Sequence, residues 1–384
     1  MRILHLFSNF KWTGPADPAA SLAAAQIAAG ADVVYRASSY TKGGSIHHVS
    51  EKTREMGIEP VLDLSLGKHR SFTRDRRDVA RLTDILTTEG FDVVHTHLPN
   101  DFRIAVRARS RARSRIPIVR SLYDTDPEGL DRREVSRMAE EADEVFVFSQ
   151  RVAEAVIEGG VDAARVHRID ALVDLPRFDP ARELPDGRSI LGVPEGAFLA
   201  GIVARVQPYR RFDFLLDVAE MAASRIEGFR LVVIGRGSKL EEVGREPARA
   251  RGLLDRVVSF PGFFGGDDYA AALRALDVKL FLVPGTDGTA RAVREALASA
   301  RPVITTRRGM LPELVRHEET GFVLDESAEA FASALARLAR DRRERKEMGT
   351  RALADARARF DPAGQAERVL EVCRGRLEAC RTSR

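Results

Sequence analysis

Short runs of apolar residues alternate with helix-patterned segments along almost the whole chain. The runs fall at 2–7, 32–36, 61–63, 93–96, 118–122, 145–148 and 166–169. Helical patterns occupy 18–29, 45–56, 73–89, 103–114, 131–141 and 150–158 between them. A second series of runs lies at 198–204, 231–235, 257–260, 278–283, 302–305 and 321–324, with helical patterns at 212–225, 239–251, 267–275, 290–300 and 328–340. Runs that are apolar throughout belong to parallel strands covered on both faces. Strand–helix alternation builds βαβ units. An α/β chain with two doubly wound, Rossmann-like sheets is expected.

Between the series lies RFDPARELPDGRSILGVPEG, residues 177–196, rich in proline, glycine and charge. It reads as a linker. With 384 residues two cores are expected, because single cores seldom grow past roughly 250–300 residues. The expected division is a first domain at 1–180, a linker at 181–196, a second domain at 197–361 and a last helix from 362 that packs back on the first domain. Doubly wound sheets bind ligands beyond the carboxyl ends of their strands. The site is therefore expected in a cleft between two facing domains.

Composition enters as a set of exclusions. No stretch approaches the ~18 consecutive apolar residues of a membrane span. The opening MRILHLF lacks the apolar core and cleavage site of a signal peptide. Cys373 and Cys380 sit on one expected helix, about 10 Å apart along its axis, too far for a disulfide. A cytoplasmic location follows from that cysteine usage. The net charge of +4 suits an anionic substrate or surface without demonstrating one.

The stretch PGTDGTARAVREALASARPVIT, 284–305, places two acids around a helix start. Its helix N-terminus offers unpaired N–H groups to a phosphate, and Gly288 lets the backbone approach a ligand. Glu295, two turns in, suits the vicinal hydroxyls of a ribose, and Asp287 those of a second sugar. The competing reading makes Asp287 a helix cap and Glu295 a surface acid. Arg205, Arg210 and Arg211 follow a strand and precede a helix, where cations neutralise a pyrophosphate. LVVIGRGSKLEE lacks the third glycine of a dinucleotide fingerprint. Its Gly235 fits a loop beside a base or phosphate.

His95 and His97 flank Thr96 at the end of a strand and share a face. No cysteine or acid stands at metal-ligand spacing from them, so no metal is expected. Arg103, Arg107, Arg109, Arg111, Arg113, Arg115 and Arg120 occur with no acid among them. A basic helix of this kind suits anionic lipid headgroups at the inner face of a membrane, through Arg103, Arg107 and Arg111. Its competing reading is a solvated face. Aromatic residues do not interleave with these arginines, so no nucleic-acid partner is expected.

The ordered set ARVQPYRRFDFLL, LVVIGRGSKLEE, DVKLFLVPGTDGTARAVREALASARPVITT, GMLPELV and ETGFVL resembles family 4 of the retaining glycosyltransferases, of the GT-B type. MRILHLFS, GPADPAASLA, DVVHTHLPNDF and ADEVFVFSQRVAEAV extend the likeness through the first domain. The resemblance implies a transferase that moves a sugar from a nucleotide-diphosphate donor to a saccharide or lipid-linked acceptor in cell-surface glycan synthesis, with no cofactor. It implies donor contacts at Gly14, Pro15, Arg205, Arg210, Gly235, Gly288, Thr289, Ala290 and Glu295. Asp287, Arg205 and Arg210 take the catalytic places, and His97, Tyr123 and Asp124 the acceptor side. The departures are Asp287 for Glu, Arg210 for Lys, Tyr123 for His, Ala171-Leu172 for Asn-Gly, and Met310 for Gly. Two alternatives stay open, a nucleotide-sugar 2-epimerase and a non-catalytic nucleotide-sugar binder.

Overall fold

The computed structural model describes residues 1–41, 45–124, 126–283 and 289–382. It divides into two compact units. One takes Met1–Leu172 and Pro362–Arg384, the other Val173–Gly285 and Ala290–Asp361.

The first unit holds strands β1 (Arg2–Phe7), β2 (Asp32–Ser38), β3 (Val61–Leu64), β4 (Val93–Thr96), β5 (Ile118–Leu122), β6 (Glu144–Val147) and β7 (Val166–Arg168). They form one parallel sheet in the order β3-β2-β1-β4-β5-β6-β7. Alternate residues go to opposite faces. Leu4, Leu6, Val94, Ile118 and Val145 pack in one apolar layer. Phe7, Val93, Val119 and Phe146 pack in the other. The second layer is closed by two helices, Ala16–Ala28 and Pro362–Thr382. Alanines 16, 19 and 23 leave room for Ala366, Val369 and Cys373. Gln365 Oε1 accepts from the Asp170 N–H at 3.2 Å, and Arg376 pairs with Asp143 at 2.9 Å, which fixes the last helix in place.

The second unit holds β8 (Phe198–Val203), β9 (Phe229–Ile234), β10 (Val258–Gly262), β11 (Val278–Phe281), β12 (Val303–Thr306) and β13 (Gly321–Leu324). The order is β10-β9-β8-β11-β12-β13, again parallel. Both units are therefore Rossmann-like doubly wound sheets.

Three stretches differ from the sequence reading. The expected linker at 181–196 contains the helix Gly187–Leu191, follows the helix Leu175–Phe178 and belongs to the second unit. Phe178 and Leu191 join that unit's core. A Cβ on Gly187 would stand 2.1 Å from the Ala271 carbonyl oxygen, so the glycine marks close packing rather than a loose connection. The helix expected at 239–251 runs without a gap from 240 to 250 but carries a π-type segment at Glu241–Arg245, just ahead of Pro247. A helix at Arg342–Arg359 was not anticipated. It is charged nearly all round and buries only a few small or flexible residues such as Met348, Ala352 and Ala356.

One carboxylate ties the carboxyl ends of β1 and β4 together. Buried Asp101 accepts from the N–H groups of Ser8 at 2.8 Å, His97 at 3.0 Å and Leu98 at 2.9 Å. Burial pushes its carboxyl up to about 6, against the pull of those donors. Asp101→Ala leaves three backbone donors short of a partner at about 1–3 kcal/mol each. A loss of at least about 3 kcal/mol in unfolding free energy is expected by denaturant titration. An unchanged midpoint would show that solvent replaces the carboxylate.

Candidate functional site

In the second sheet the strand order reverses between β8 and β11. Crossovers from these two strands leave toward opposite faces, which opens a crevice beyond their carboxyl ends. β8 delivers the turn at Pro208–Arg210 with Arg205 just before it. β11 delivers Val283 and then 284–288, which lie outside the described residues. Asp287 and Gly288 fall in that stretch.

Arg210 links the two loops. Its Nη1 donates to the Val283 carbonyl oxygen at 2.7 Å, and its guanidinium lies 5.5 Å from the Tyr209 ring centroid. Its Nε is buried without a hydrogen-bond partner among the described residues. Arg205 is exposed. Among the described residues neither arginine has a carboxylate partner. Arg211 behaves differently. It pairs with Glu326, which also takes Arg308, and with Asp213 at 3.4 Å. Among the described residues Arg205 and Arg210 thus keep positive charge without a carboxylate at the reversal point, a field that favours an anion.

The glycines beside them serve backbone packing. The Val206 N–H donates to Arg236 at 3.2 Å, and the Ala204 N–H to Ile234 at 3.1 Å. A Cβ on Gly235 or on Gly237 would meet the carbonyl oxygen of Ala204 or Val206 at 2.1 Å. Gly235 also holds φ of +149°. These glycines press the 235–237 segment against the loop that carries Arg205, which explains GRG without a dinucleotide.

The helix Arg291–Ala298 follows buried Thr289 and Ala290. Ala290 has φ of 49°, a left-handed conformation that strains any residue with a Cβ. Glu295 is 7% exposed, which removes the surface-acid reading. Tyr269 Oη donates to its Oε2 at 2.5 Å, and Arg291 Nε lies 3.7 Å from Oε1. Below it, Lys279 of β11 is fully buried, with no hydrogen-bond partner for Nζ among the described residues. Burial pulls that amine down to about 7, against the attraction of Glu295. Sequence reasoning missed Tyr269 and Lys279. A lysine in the middle of the apolar run 278–283 was the available signal.

In the first unit the order reverses between β1 and β4. Gly14 and Pro15 lie half-buried in the turn that starts the helix Ala16–Ala28. His97 is fully buried, with Nδ1 2.6 Å from Tyr123 Oη. Tyr123 is 7% exposed and stacks on Phe148 at 5.0 Å. Its hydroxyl faces the interior, while Asp124 is exposed. The three acceptor-side candidates therefore do not share one surface. Arg103 is buried and paired with Asp75 at 2.6 Å, so it is withdrawn from the basic face. Arg109 is taken by Asp143 at 2.5 Å and Arg120 by Glu134 at 2.6 Å. Arg107 and Arg111 stay exposed. With Arg70, Arg76 and Phe72, which is 83% exposed, they border a groove of about 470 Å³. No helix among the described residues is long and apolar enough to cross a membrane.

Two family models match the chain. Residues 19–177 match the one described as Glycosyltransferase Family 4, and residues 197–341 the one described as Glycosyl transferases group 1. The chain belongs to the family 4 glycosyltransferases. Curated relatives include the D-inositol 3-phosphate glycosyltransferases of Salinispora tropica, 30% identical over 68% of this chain and 60% of that one, and of Nocardia farcinica, 29% identical over 73% and 66%. The chain thus spans less than two thirds of these relatives' length. Among solved structures, the Anabaena protein HepE in complex with UDP superposes with a TM-score of 0.79 at 19% identity, over 98% of this chain and 100% of that one. A glycosyltransferase of Rickettsia africae gives 0.80 at 16% identity over 98% of each. These likenesses establish the GT-B type of fold for this family 4 member.

The buried amine beside Glu295 gives a pH-dependent stability. Lys279 falls from the ordinary 10.5 to about 7 in the fold, so the unfolded chain binds more protons between those values. Stability then rises as pH climbs through that window, and the full penalty applies below about 7. Lys279→Met keeps the length and removes the charge. The variant is expected to be more stable than the wild type below pH 7, with an advantage that shrinks above it. Denaturant midpoints on either side of that pH test this, and a gap independent of pH would contradict it.

Proposed function

We propose that the chain is a retaining glycosyltransferase that uses a nucleotide-diphosphate sugar, with a uridine diphosphate sugar as the first donor to try. One observation carries the reading: Arg205 and Arg210 stand at the β8/β11 reversal without carboxylate partners among the described residues, and Arg210 is anchored to the carbonyl just ahead of the acidic loop. Two guanidiniums there bind a diphosphate and support its departure. The helix that starts at Arg291 adds its N-terminal N–H groups, and Glu295 takes the ribose. Asp287 holds the transferred sugar. The UDP and UDP-glucose of the HepE complexes make the uridine donor the natural starting point.

In the step itself the bond from the sugar's anomeric carbon to the diphosphate oxygen breaks. An acceptor hydroxyl oxygen bonds to that carbon on the same face. The hydroxyl proton passes to the departing phosphate oxygen. The arginines neutralise the leaving group, so the reading uses no cofactor. The acceptor belongs to the first unit's side. A saccharide or lipid-linked glycan at the inner membrane face fits the exposed Arg107 and Arg111. The relatives' name adds a phosphorylated cyclitol to the panel.

Calorimetry with uridine, guanosine and adenosine diphosphates, then with their sugars, tests the donor site. Charge-assisted hydrogen bonds contribute about 1.5–3 kcal/mol, so Arg210→Ala and Glu295→Gln are each expected to weaken diphosphate binding roughly 10-fold to 150-fold. Asp287→Asn is expected to weaken nucleotide-sugar binding and turnover but spare free diphosphate. Arg211→Ala, which removes an arginine already paired with Glu326, is expected to leave affinity unchanged. Failure of every nucleotide to bind at millimolar concentration sinks the reading. Conversion of the donor alone, with solvent deuterium entering the sugar, would instead show an epimerase. Binding without product across the acceptor panel would show a non-catalytic binder.

A further inference from the structure

Three imidazoles meet inside the first unit where its strand order reverses. His5 on β1 stands directly across from His95 on β4, and His97 follows on the same face. All three are fully buried. One ring nitrogen of each lies within 4.8 Å of the others, and the ring centroids are 4.5 to 5.1 Å apart. Each ring sets one nitrogen against an outer oxygen. His5 Nε2 is 2.8 Å from Gln26 Oε1, His95 Nε2 is 2.8 Å from Ser121 Oγ, and His97 Nδ1 is 2.6 Å from Tyr123 Oη. The nitrogens left over are His5 Nδ1 and His97 Nε2, which are 2.9 Å apart, and His95 Nδ1, which is buried without a partner.

We propose that His5, His95 and His97 form a buried three-imidazole site for a divalent transition-metal ion of the zinc class. The sequence reading stopped at His95 and His97 because the third ligand comes from a strand about ninety residues away, paired by register alone. Imidazole ligands are characteristically oriented by an outer oxygen on their other nitrogen, and here each has one. Neutral imidazole is the form that binds metal. Burial supplies it by holding all three rings below the usual histidine range, His5 at about 4.

The protons balance in both states. Without an ion, the Tyr123 hydroxyl donates to His97 Nδ1, His97 Nε2–H donates to His5 Nδ1, and His5 Nε2–H donates to Gln26 Oε1. This chain leaves His95 Nδ1 unsatisfied. With an ion, the His97 proton resides on Nδ1 and is donated to Tyr123 Oη. The Tyr123 hydroxyl keeps its own proton and turns it away from the ring. The three inner nitrogens draw in to about 2.0–2.1 Å from the metal, with a fourth position left for another ligand. No proton has to leave the protein. The ion ties β1 to β4 beneath Tyr123, and its presence does not depend on the transferase reading.

Full-length protein prepared without a histidine tag is stripped with a chelator and reloaded with Zn²⁺ or Co²⁺. The expected result is one tightly held ion per chain by elemental analysis, with the intense visible absorption of Co²⁺ in a tetrahedral nitrogen site. His95→Asn is expected to abolish both. Ser121→Ala removes only an oxygen behind the ligands and is expected to weaken metal affinity about 10-fold to 100-fold. His48→Asn, at an exposed histidine, is expected to change neither. Folded wild-type protein that retains no stoichiometric metal and gives no Co²⁺ band overturns the proposal, leaving a hydrogen-bonded core of neutral histidines. Equal loss of metal from His48→Asn and His95→Asn overturns it as well, by placing the ion on the surface.

Discussion

In a parallel sheet, the two strands at which the order reverses send their connections to opposite faces, so the sheet's own helices leave the space beyond those carboxyl ends open. The first sheet reverses between β1 and β4 and the second between β8 and β11. Most of the chemically distinctive residues of this chain collect at those two places. Arg205, Arg210 and the helix that carries Glu295 gather at the second reversal. Asp101, His5, His95 and His97 gather at the first. Neither collection needs a specialised domain, because strand order alone brings loops from distant sequence together.

Charge is handled differently at the two reversals. A buried charge is tolerated only when it is paired or well hydrogen-bonded. The arginine-rich surface follows this rule, with Arg103 on Asp75, Arg109 on Asp143 and Arg211 on Glu326. Arg205 and Arg210 have no carboxylate partner among the described residues, and the proposed diphosphate would restore the balance there. Lys279 departs from it in the interior, where the amine sheds much of its charge and sits under a carboxylate already engaged by Tyr269. In the first unit burial instead keeps three imidazoles neutral. The same arginine-rich composition therefore contains spent and unspent cations, and only tertiary pairing tells them apart.

That distinction marks what was legible in the sequence. The strands at 2–7, 93–96, 118–122 and 321–324 were read to the residue, because covered parallel strands are short runs rich in apolar residues between helix patterns. The two doubly wound sheets followed from their alternation with helices, and the GT-B type from the family resemblance. The linker was misread because Gly187, in a proline- and charge-rich stretch, is there for the approach of Ala271. The helix Arg342–Arg359 escaped because its buried residues are too few among its charges to set a period. At the site, Glu295 was reachable from its place in a motif, whereas its partner Tyr269 lies 26 residues away on another helix. Arg103 read as free because Asp75, 28 residues earlier, belongs to a different helix. Sequence spacing reports faces of single elements, and these pairings occur between elements.

The departures from the family pattern in the first unit also change meaning once the structure is known. Tyr123, Ala171 and Leu172 look like independent substitutions when taken along the chain. All three are buried in one apolar layer with Phe148 and the last helix. Tyr123 stacks on Phe148 and directs its hydroxyl to His97, so it fills interior space where the family pattern has a histidine. Ala171 and Leu172 supply apolar surface to the same layer, where an asparagine would bring polar atoms into an apolar setting. The three changes then fall in one buried apolar layer. They leave that layer apolar while Arg205, Arg210 and Glu295 keep charged groups at the other reversal, so the polarity of one reversal changes without touching that of the other.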